Sequence, residues 1–401
     1  MTNRFIEHLV QENTTRIVMV ILDGLGGIPR TMEGRTELET ASTPHMDTLA
    51  YSSSLGLTIP VTPGVTAGSG PGHLAIFGYD PIEYEIGRGA LEALGVDFEL
   101  GPDDIAARGN FCTLDKEGKI SDRRAGRLPT EESLELTKLL STIKIEGVEF
   151  FIKPIKEHRF AFIMRKKGMN VEMDGTDPLK IGVPPLKVCP RQAKAESSAL
   201  LINTFIEKAC ILLKDKAPAN MIMLRGFAKF PCIPSFTKKY RLNAAAIAVN
   251  GMYRGVARLV GMHVLAVRGT NLADEIATLE KAWLDFDFFY LHFKKTDTCG
   301  ESGDFDGKCR AIEELDSLIP RLLALQPDVL IIGGDHSSPA VMHSHSWHPV
   351  PLLISSKYCR PDHLHEFGET ACLKGSLGII PAKTVMPLAL AHAGRIAKYG
   401  A

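Results

Sequence analysis

Arg16-Ile-Val-Met-Val-Ile-Leu-Asp-Gly-Leu-Gly-Gly27 sets six unbroken apolar residues, Ile17–Leu22, directly before Asp23 and a cluster of glycines. An apolar run without polar alternation is how a parallel strand buried on both faces reads, and its carboxyl end opens into a loop. Asp23 is therefore expected at a strand tip. The same grammar returns in Asp328-Val-Leu-Ile-Ile-Gly-Gly-Asp-His-Ser-Ser-Pro339, which carries Asp335 and His336 into a glycine-rich turn. A third copy, Phe286-Asp-Phe-Phe-Tyr-Leu-His-Phe-Lys-Lys-Thr-Asp297, reads as a strand ending at Asp297. Pro349–Ser355 and Ala244–Val249 are further strands, and helical patterns over Asn271–Leu284 and Gly307–Ala324 lie between them. Strand and helix thus alternate as in a doubly wound, mostly parallel α/β domain, where ligands collect outside the carboxyl ends of the strands.

The middle of the chain has a different texture. Short strand patterns at Phe150–Ile155, Arg159–Arg165 and Met221–Leu224 are broken by basic clusters and by Pro/Gly punctuation. Residues 88–237 are accordingly read as an inserted smaller α+β substrate or lid domain, and 1–87 with 238–401 as one discontinuous domain. At 401 residues the chain exceeds the usual size of a single core, which fits two domains. A net charge of −1 gives no reason to expect bulk nucleic-acid or membrane-surface binding. Apolar runs are strand-sized, far short of a bilayer span. The first twelve residues lack an apolar leader core, so a cytoplasmic address is expected, and eight cysteines without a CxxC pair read as reduced thiols. Oligomeric state leaves no mark in the sequence.

Four of the thirteen histidines fall between 336 and 348, close to Asp297, Glu301, Asp304, Asp306 and Asp335. Taken singly, each histidine reads as a surface or cap residue. Three carboxylate-bearing strand ends aimed at one edge change that balance, because Asp with His suits Mn²⁺ or Zn²⁺ where Ca²⁺ would draw oxygen alone. Thr62-Pro-Gly-Val-Thr-Ala-Gly-Ser-Gly-Pro-Gly-His73 is a glycine-rich loop ahead of a short helix expected at His73–Phe77. Ser69 is then near a helix N-terminus that an anion can approach, a position suited to a nucleophile for phosphorus. The bland alternative is a solvated Gly/Ser turn, and no Walker-type Lys follows. Arg123, Arg124, Arg127, His158, Arg159 and Arg225 in the insert are candidates to clamp phosphate and carboxylate groups.

Asp23-Gly, Gly68-Ser-Gly-Pro-Gly-His73, Lys294-Lys-Thr-Asp297, Gly333-Gly-Asp-His-Ser337 and His345-Ser-x-x-Pro-Val-Pro351 occur in this order, with Leu224-Arg-Gly, Pro234-Ser-Phe and Tyr253-Arg254-Gly-Val-Ala between them. In these motifs the chain resembles the cofactor-independent phosphoglycerate mutases, specifically their shorter archaeal-type branch within the alkaline phosphatase superfamily. The resemblance spans nearly the whole length. It implies two divalent ions, Mn²⁺ first with Zn²⁺, Mg²⁺ or Co²⁺ as alternatives. One would be held by Asp23, Ser69, Asp335 and His336, the other by Asp297, the residue four beyond it and His345. It also implies interconversion of 3-phosphoglycerate and 2-phosphoglycerate through a phosphoserine at Ser69, with Arg254 joining the substrate-binding arginines. One position departs from the pattern: where the family has Asp-x-x-x-His, this chain has Glu301. A carboxylate there would favour harder cations, and His343 or His348 are alternative nitrogen donors. The competing readings are a metal-dependent phosphatase or phosphotransferase for another small phosphorylated metabolite, and a non-catalytic descendant.

Overall fold

In a computed structural model of the chain, residues 2–400 are described; Met1, where the leader reading starts, lies outside them. Contacts divide the chain into two compact units, Met1–Glu85 with Ile233–Ala401, and Ile86–Cys232. Among the described residues no helix is long and apolar enough to cross a membrane.

The first unit is built on an eight-stranded sheet in the order His263–Val264, Ala244–Ile247, Phe288–Phe293, Ile17–Leu22, Val329–Gly333, Val350–Ser356, Ser54–Ile59, Gly378–Pro381. Only the Val350–Ser356 strand runs antiparallel to its neighbours, so the sheet is mixed but mostly parallel. Ile17–Leu22 lies at its centre, every residue buried, which is why that run shows no polar alternation. Val18, Val20 and Leu22 pack with Leu291 and Ile332 under the helices Leu272–Ala282 and Phe305–Asp316. Each such fully buried aliphatic side chain is worth about 1.5–3 kcal/mol.

Two local expectations are corrected. The helical pattern over Gly307–Ala324 is two helices, Phe305–Asp316 and Ile319–Ala324, because Pro320 lacks the amide needed to continue the first and instead suits the opening turn of the second. The strand ending at Asp297 stops at Phe293; Asp297 belongs to the first turn of a following helix, Lys295–Ser302, which sets Asp297 and Glu301 four residues apart on one face.

The second unit is an α+β fold. Its five-stranded antiparallel sheet centres on Asp104–Leu114, paired with Arg159–Arg165 and Met221–Ala228. Alternation assigns the faces: Ile105, Ala107 and Phe111 meet helices Thr130–Leu140 and Glu196–Leu213, while Ala106, Ala161 and Ile163 pack with Ala93 of the helix Arg88–Gly95.

Candidate active site

In the first unit, three strand ends and two helices converge. Asp23 follows the central strand, fully buried, and Gly24 turns the chain with φ of +64°. A side chain on Gly24 would strike Ser338 and the Asp297 carboxylate, so only glycine permits this approach. Asp335 and His336 follow the neighbouring strand, both fully buried. The helix from the glycine-rich loop spans Ser69–Ile76, starting earlier than the sequence suggests, so Ser69 is its first residue with Gly68 as cap. Gly72 lets that helix press against the Asp335 backbone, where a Cβ would clash. His73, one turn on, lies 2.8 Å from the Ser69 carbonyl oxygen and 3.1 Å from Asp335 Oδ2 through Nδ1, fixing the helix start to the strand end.

His336 Nε2 is the centre of the cluster. Ser69 Oγ lies 3.2 Å from it, Asp23 Oδ1 3.1 Å and Asp335 Oδ2 3.3 Å. His345 Nε2 approaches Asp297 Oδ1 at 3.4 Å and Glu301 Oε1 at 3.5 Å, and its ring stacks on that of His336 with centroids 3.8 Å apart. The seven expected ligands are thus gathered in one cluster, with Asp23, Asp297, Asp335 and His336 fully buried. Glu301 stands at the rim, its side chain 56% exposed. His343 and His348 belong to neither metal-compatible grouping, which are Asp297–His336–His345 and Asp23–Asp335–His336 among the described residues.

The electrostatics ask for cations. Asp23, Asp297 and Asp335 are all fully buried, and the Lys294 ammonium lies 3.0 Å from Asp23 Oδ2 and 2.5 Å from Asp297 Oδ2. Burial would raise the Asp23 carboxyl, but the His292 and His336 imidazoles together with the Lys294 charge hold it well below the usual range. Asp297 is held low against burial chiefly by its hydrogen bond with His345. Conversely, despite burial, His345 is pushed up to about 10 by Asp297 and Glu301, and the Asp335 and Asp23 carboxylates raise His336. Asp23 Oδ1 and Asp335 Oδ2 are buried without a hydrogen bond, although both face His336 Nε2. Orphaned carboxylate oxygens converging with an imidazole nitrogen and a hydroxyl match the donor set of a divalent ion, so the residues present fit the metals that the resemblance implies.

Lys294, His73, His292, Tyr253 and Ser338 complete the surroundings and were not singled out from sequence as site residues. Lys294 also donates to Tyr253 Oη at 2.9 Å, and Tyr253 stacks on His292, whose Nε2 lies 3.1 Å from Asp23 Oδ2. A histidine inside the otherwise apolar strand Phe288–Phe293 was a readable signal; nothing in the sequence marked Ser338.

The second unit gathers the arginines. Arg108, Asn110 and Arg159 occupy the same sheet face as Ala106 and Ala161, beyond the stretch that those alanines pack with the helix Arg88–Gly95, so the face turns from apolar to cationic. With Arg123, Arg124, Arg127, His158 and Arg225 they line a cavity of about 410 Å³. Asp177 anchors the rim, accepting two hydrogen bonds from Arg123 at 3.0 and 2.7 Å and lying 3.9 Å from Arg225. Burial, with repulsion from Arg88, lowers Arg108 to about 9, and burial with the neighbouring Arg159 lowers His158 to about 4. The buried Nε atoms of Arg159 and Arg225 have no hydrogen-bond acceptor. The sequence reading missed Arg108, although a charged residue inside a buried strand is itself a signal. Arg254 is not among these residues; it lies in the first unit, on the helix Gly251–Leu259, and donates to the Val249 carbonyl at 3.1 Å.

The chain belongs to the family of 2,3-bisphosphoglycerate-independent phosphoglycerate mutases. The family model of that description matches residues 50–220. A probable enzyme of this description from Thermotoga neapolitana is 50% identical over 400 residues, covering 99% of each chain. Among solved structures, a Pyrococcus horikoshii protein superposes with TM-score 0.84 at 31% identity, covering 97% of this chain and 100% of its own. The cofactor-independent phosphoglycerate mutase from Thermoplasma acidophilum gives TM-score 0.75 at 30% identity, over 95% of this chain and 100% of that one.

Proposed function

We propose that the protein interconverts 3-phosphoglycerate and 2-phosphoglycerate by passing the phosphoryl group through Ser69, with one divalent ion held by Asp23, Ser69, Asp335 and His336 and a second by Asp297, Glu301 and His345. The observation that carries this reading is Ser69 Oγ at the first position of a helix, 3.2 Å from His336 Nε2 in a pocket of buried carboxylates. When bound, divalent ions would lower the pKa of the serine hydroxyl and offset phosphoryl charge. The open amides of the helix Ser69–Ile76 favour an anion at its start. Ser69 Oγ forms its bond to phosphorus as the bond to the substrate's 3-oxygen breaks, and the serine proton ends on the departing hydroxyl. The reverse transfer to the 2-oxygen regenerates Ser69. Lys294 keeps its ammonium, since against burial the flanking Asp23 and Asp297 carboxylates raise its pKa, and so remains a fixed positive charge beside the reacting group. In the second unit, the guanidiniums of the arginine cavity are suited to bidentate partners such as a carboxylate or a phosphate. Excluding water decides mutase against phosphatase, because water would hydrolyse the phosphoserine.

The test is incubation with Mn²⁺ and 3-phosphoglycerate while 2-phosphoglycerate and free phosphate are followed together. Isomer without phosphate is expected; phosphate without isomer makes the protein a phosphatase.

A further inference from the structure

Ser338 is a fully buried serine two residues beyond His336, and each of its polar groups is spoken for. Its N–H donates to Gly26 O at 3.0 Å, on the loop that follows Asp23. Its carbonyl oxygen accepts from the buried ammonium of Lys308 at 2.8 Å, which also donates to Gly26 O at 3.0 Å. The helix bearing Asp297 and Glu301 packs against the same residue, where a side chain on Gly300 would collide with the Ser338 carbonyl. With the backbone pinned on both sides, the hydroxyl has one direction. Ser338 Oγ lies 2.5 Å from Asp297 Oδ1 and 3.2 Å from His336 Nδ1.

The polarity of this chain follows from donor arithmetic. An ionised carboxylate only accepts, so the hydroxyl proton of Ser338 goes to Asp297. The hydroxyl's remaining capacity is as an acceptor, so the proton at His336 Nδ1 is donated to it. With Nδ1 protonated, the lone pair of the neutral ring is at Nε2, facing Ser69, Asp23 and Asp335. We infer that Ser338 is a positioning residue joining the two proposed metal sites: it orients Asp297 of one and fixes the tautomer of His336 in the other, so that loss of one hydroxyl weakens both. This rests on the metal reading above, and metal-bound histidines are ordinarily held in this manner through their second nitrogen.

The neighbouring Ser337 supplies the control. It is equally buried, but its hydroxyl donates to the His348 carbonyl at 2.9 Å and hydrogen-bonds to none of the proposed ligands. Free Mn²⁺ is followed by electron paramagnetic resonance as the metal-stripped protein, Ser338→Ala and Ser337→Ala are each titrated, with thermal unfolding of the metal-free forms alongside. The wild type is expected to take up two Mn²⁺ per chain. Ser338→Ala should weaken both events by about 10–100-fold, whereas Ser337→Ala should bind as the wild type does although it too has lost a buried hydrogen bond. Two sites of wild-type affinity in Ser338→Ala overturn the inference and leave the metal reading standing; no Mn²⁺ uptake by the wild type overturns both. Equal weakening in the two serine variants means a general loss of packing, and also overturns it. A second reading comes from ¹⁵N-histidine labelling of the Zn²⁺-loaded protein, where the His336 proton is expected on Nδ1; a proton on Nε2 overturns the inference independently of any affinity.

Discussion

The two units carry opposite electrostatic imbalances. In the first, three fully buried aspartates surround one lysine; in the second, six arginines line a cavity whose nearest anchoring carboxylate is Asp177. Burying charge is costly where it loses hydration without gaining a partner, which bears on the three aspartates and on Arg108, the one arginine of the six that is buried, with Glu92 3.5 Å away. The strain is relieved differently in each. Carboxylates that have imidazoles and an ammonium at hand stay ionised and pull protons onto those imidazoles, while guanidiniums, which do not give up a proton in practice, repel one another and await an anion. The contrast separates two kinds of ligand. The aspartate cluster is suited to cations beside the serine, and the arginine cavity is suited to an anion.

The largest effect that can break this division is expected at Ser69. Ser69→Ala should lower isomerisation by about four orders of magnitude or more, while Mn²⁺ uptake at the Asp297 site persists; retained turnover would place the nucleophile elsewhere. Next is the anionic cluster itself. Asp335→Asn should weaken Mn²⁺ binding by at least ~100-fold, a first-hand ligand costing no less than the outer partners that typically give 10–100-fold. His343→Ala should bind Mn²⁺ as the wild type does, because His343 belongs to neither grouping. Equal losses in the two variants would dissolve the ligand assignment. The cationic side is expected to respond in a different parameter. Arg225→Met is expected to raise KM roughly 10–100-fold, the value of about 1.5–3 kcal/mol for a hydrogen bond to a charged group, while Mn²⁺ affinity stays fixed. A change in metal affinity instead would mean that the two regions do not divide the labour in this way.

How legible all this was in the sequence differs between the regions for a physical reason. The central strand Ile17–Leu22 and its neighbours were readable because strands buried on both faces carry no polar residues, and their tips announce themselves as Asp after an apolar run. Asp23, Asp335 and His336 came from that signal. Asp297 was found as a residue but misplaced, because Lys294-Lys-Thr-Asp297 continues the strand pattern while the chain has already turned into a helix. The glycine-rich loop ahead of a helix marked Ser69 as a candidate nucleophile, and motif resemblance supplied the grouping of ligands. Ser338 and Lys308 were invisible, since their importance lies in hydrogen bonds to loops distant in sequence, which no local pattern encodes. In the insert the arginines were read as clusters along the chain. The cavity is made by strand pairing, which brings Arg108, Arg159 and Arg225 together from three separate strands.

The smallest expected effect tests whether burial alone, without cations, distinguishes the carboxyls of the first unit. Glu275 is 3% exposed and borders a cavity of about 500 Å³ that also reaches Lys294. Burial pushes its carboxyl up to about 8, with Asp274 and Glu314 acting in the same direction and only the Val249 N–H opposing. Asp23 is as deeply buried and stays ionised, because two histidines and Lys294 address it directly. A carboxyl whose folded pKa lies above its unfolded value of about 4.3 contributes stability that is complete at low pH. That contribution is lost as pH rises through about 8, since the unfolded chain then gives up the proton more readily than the native one. Glu275→Gln, which keeps an acceptor for Val249 but cannot ionise, should therefore narrow the fall in Tm between pH 5 and pH 8 by about 2–4 °C. Calorimetry at the two pH values reads the difference. If wild type and variant fall in parallel, Glu275 is ionised in the native protein, and the line drawn here between a carboxyl kept neutral by burial and carboxylates kept charged by their neighbours does not hold.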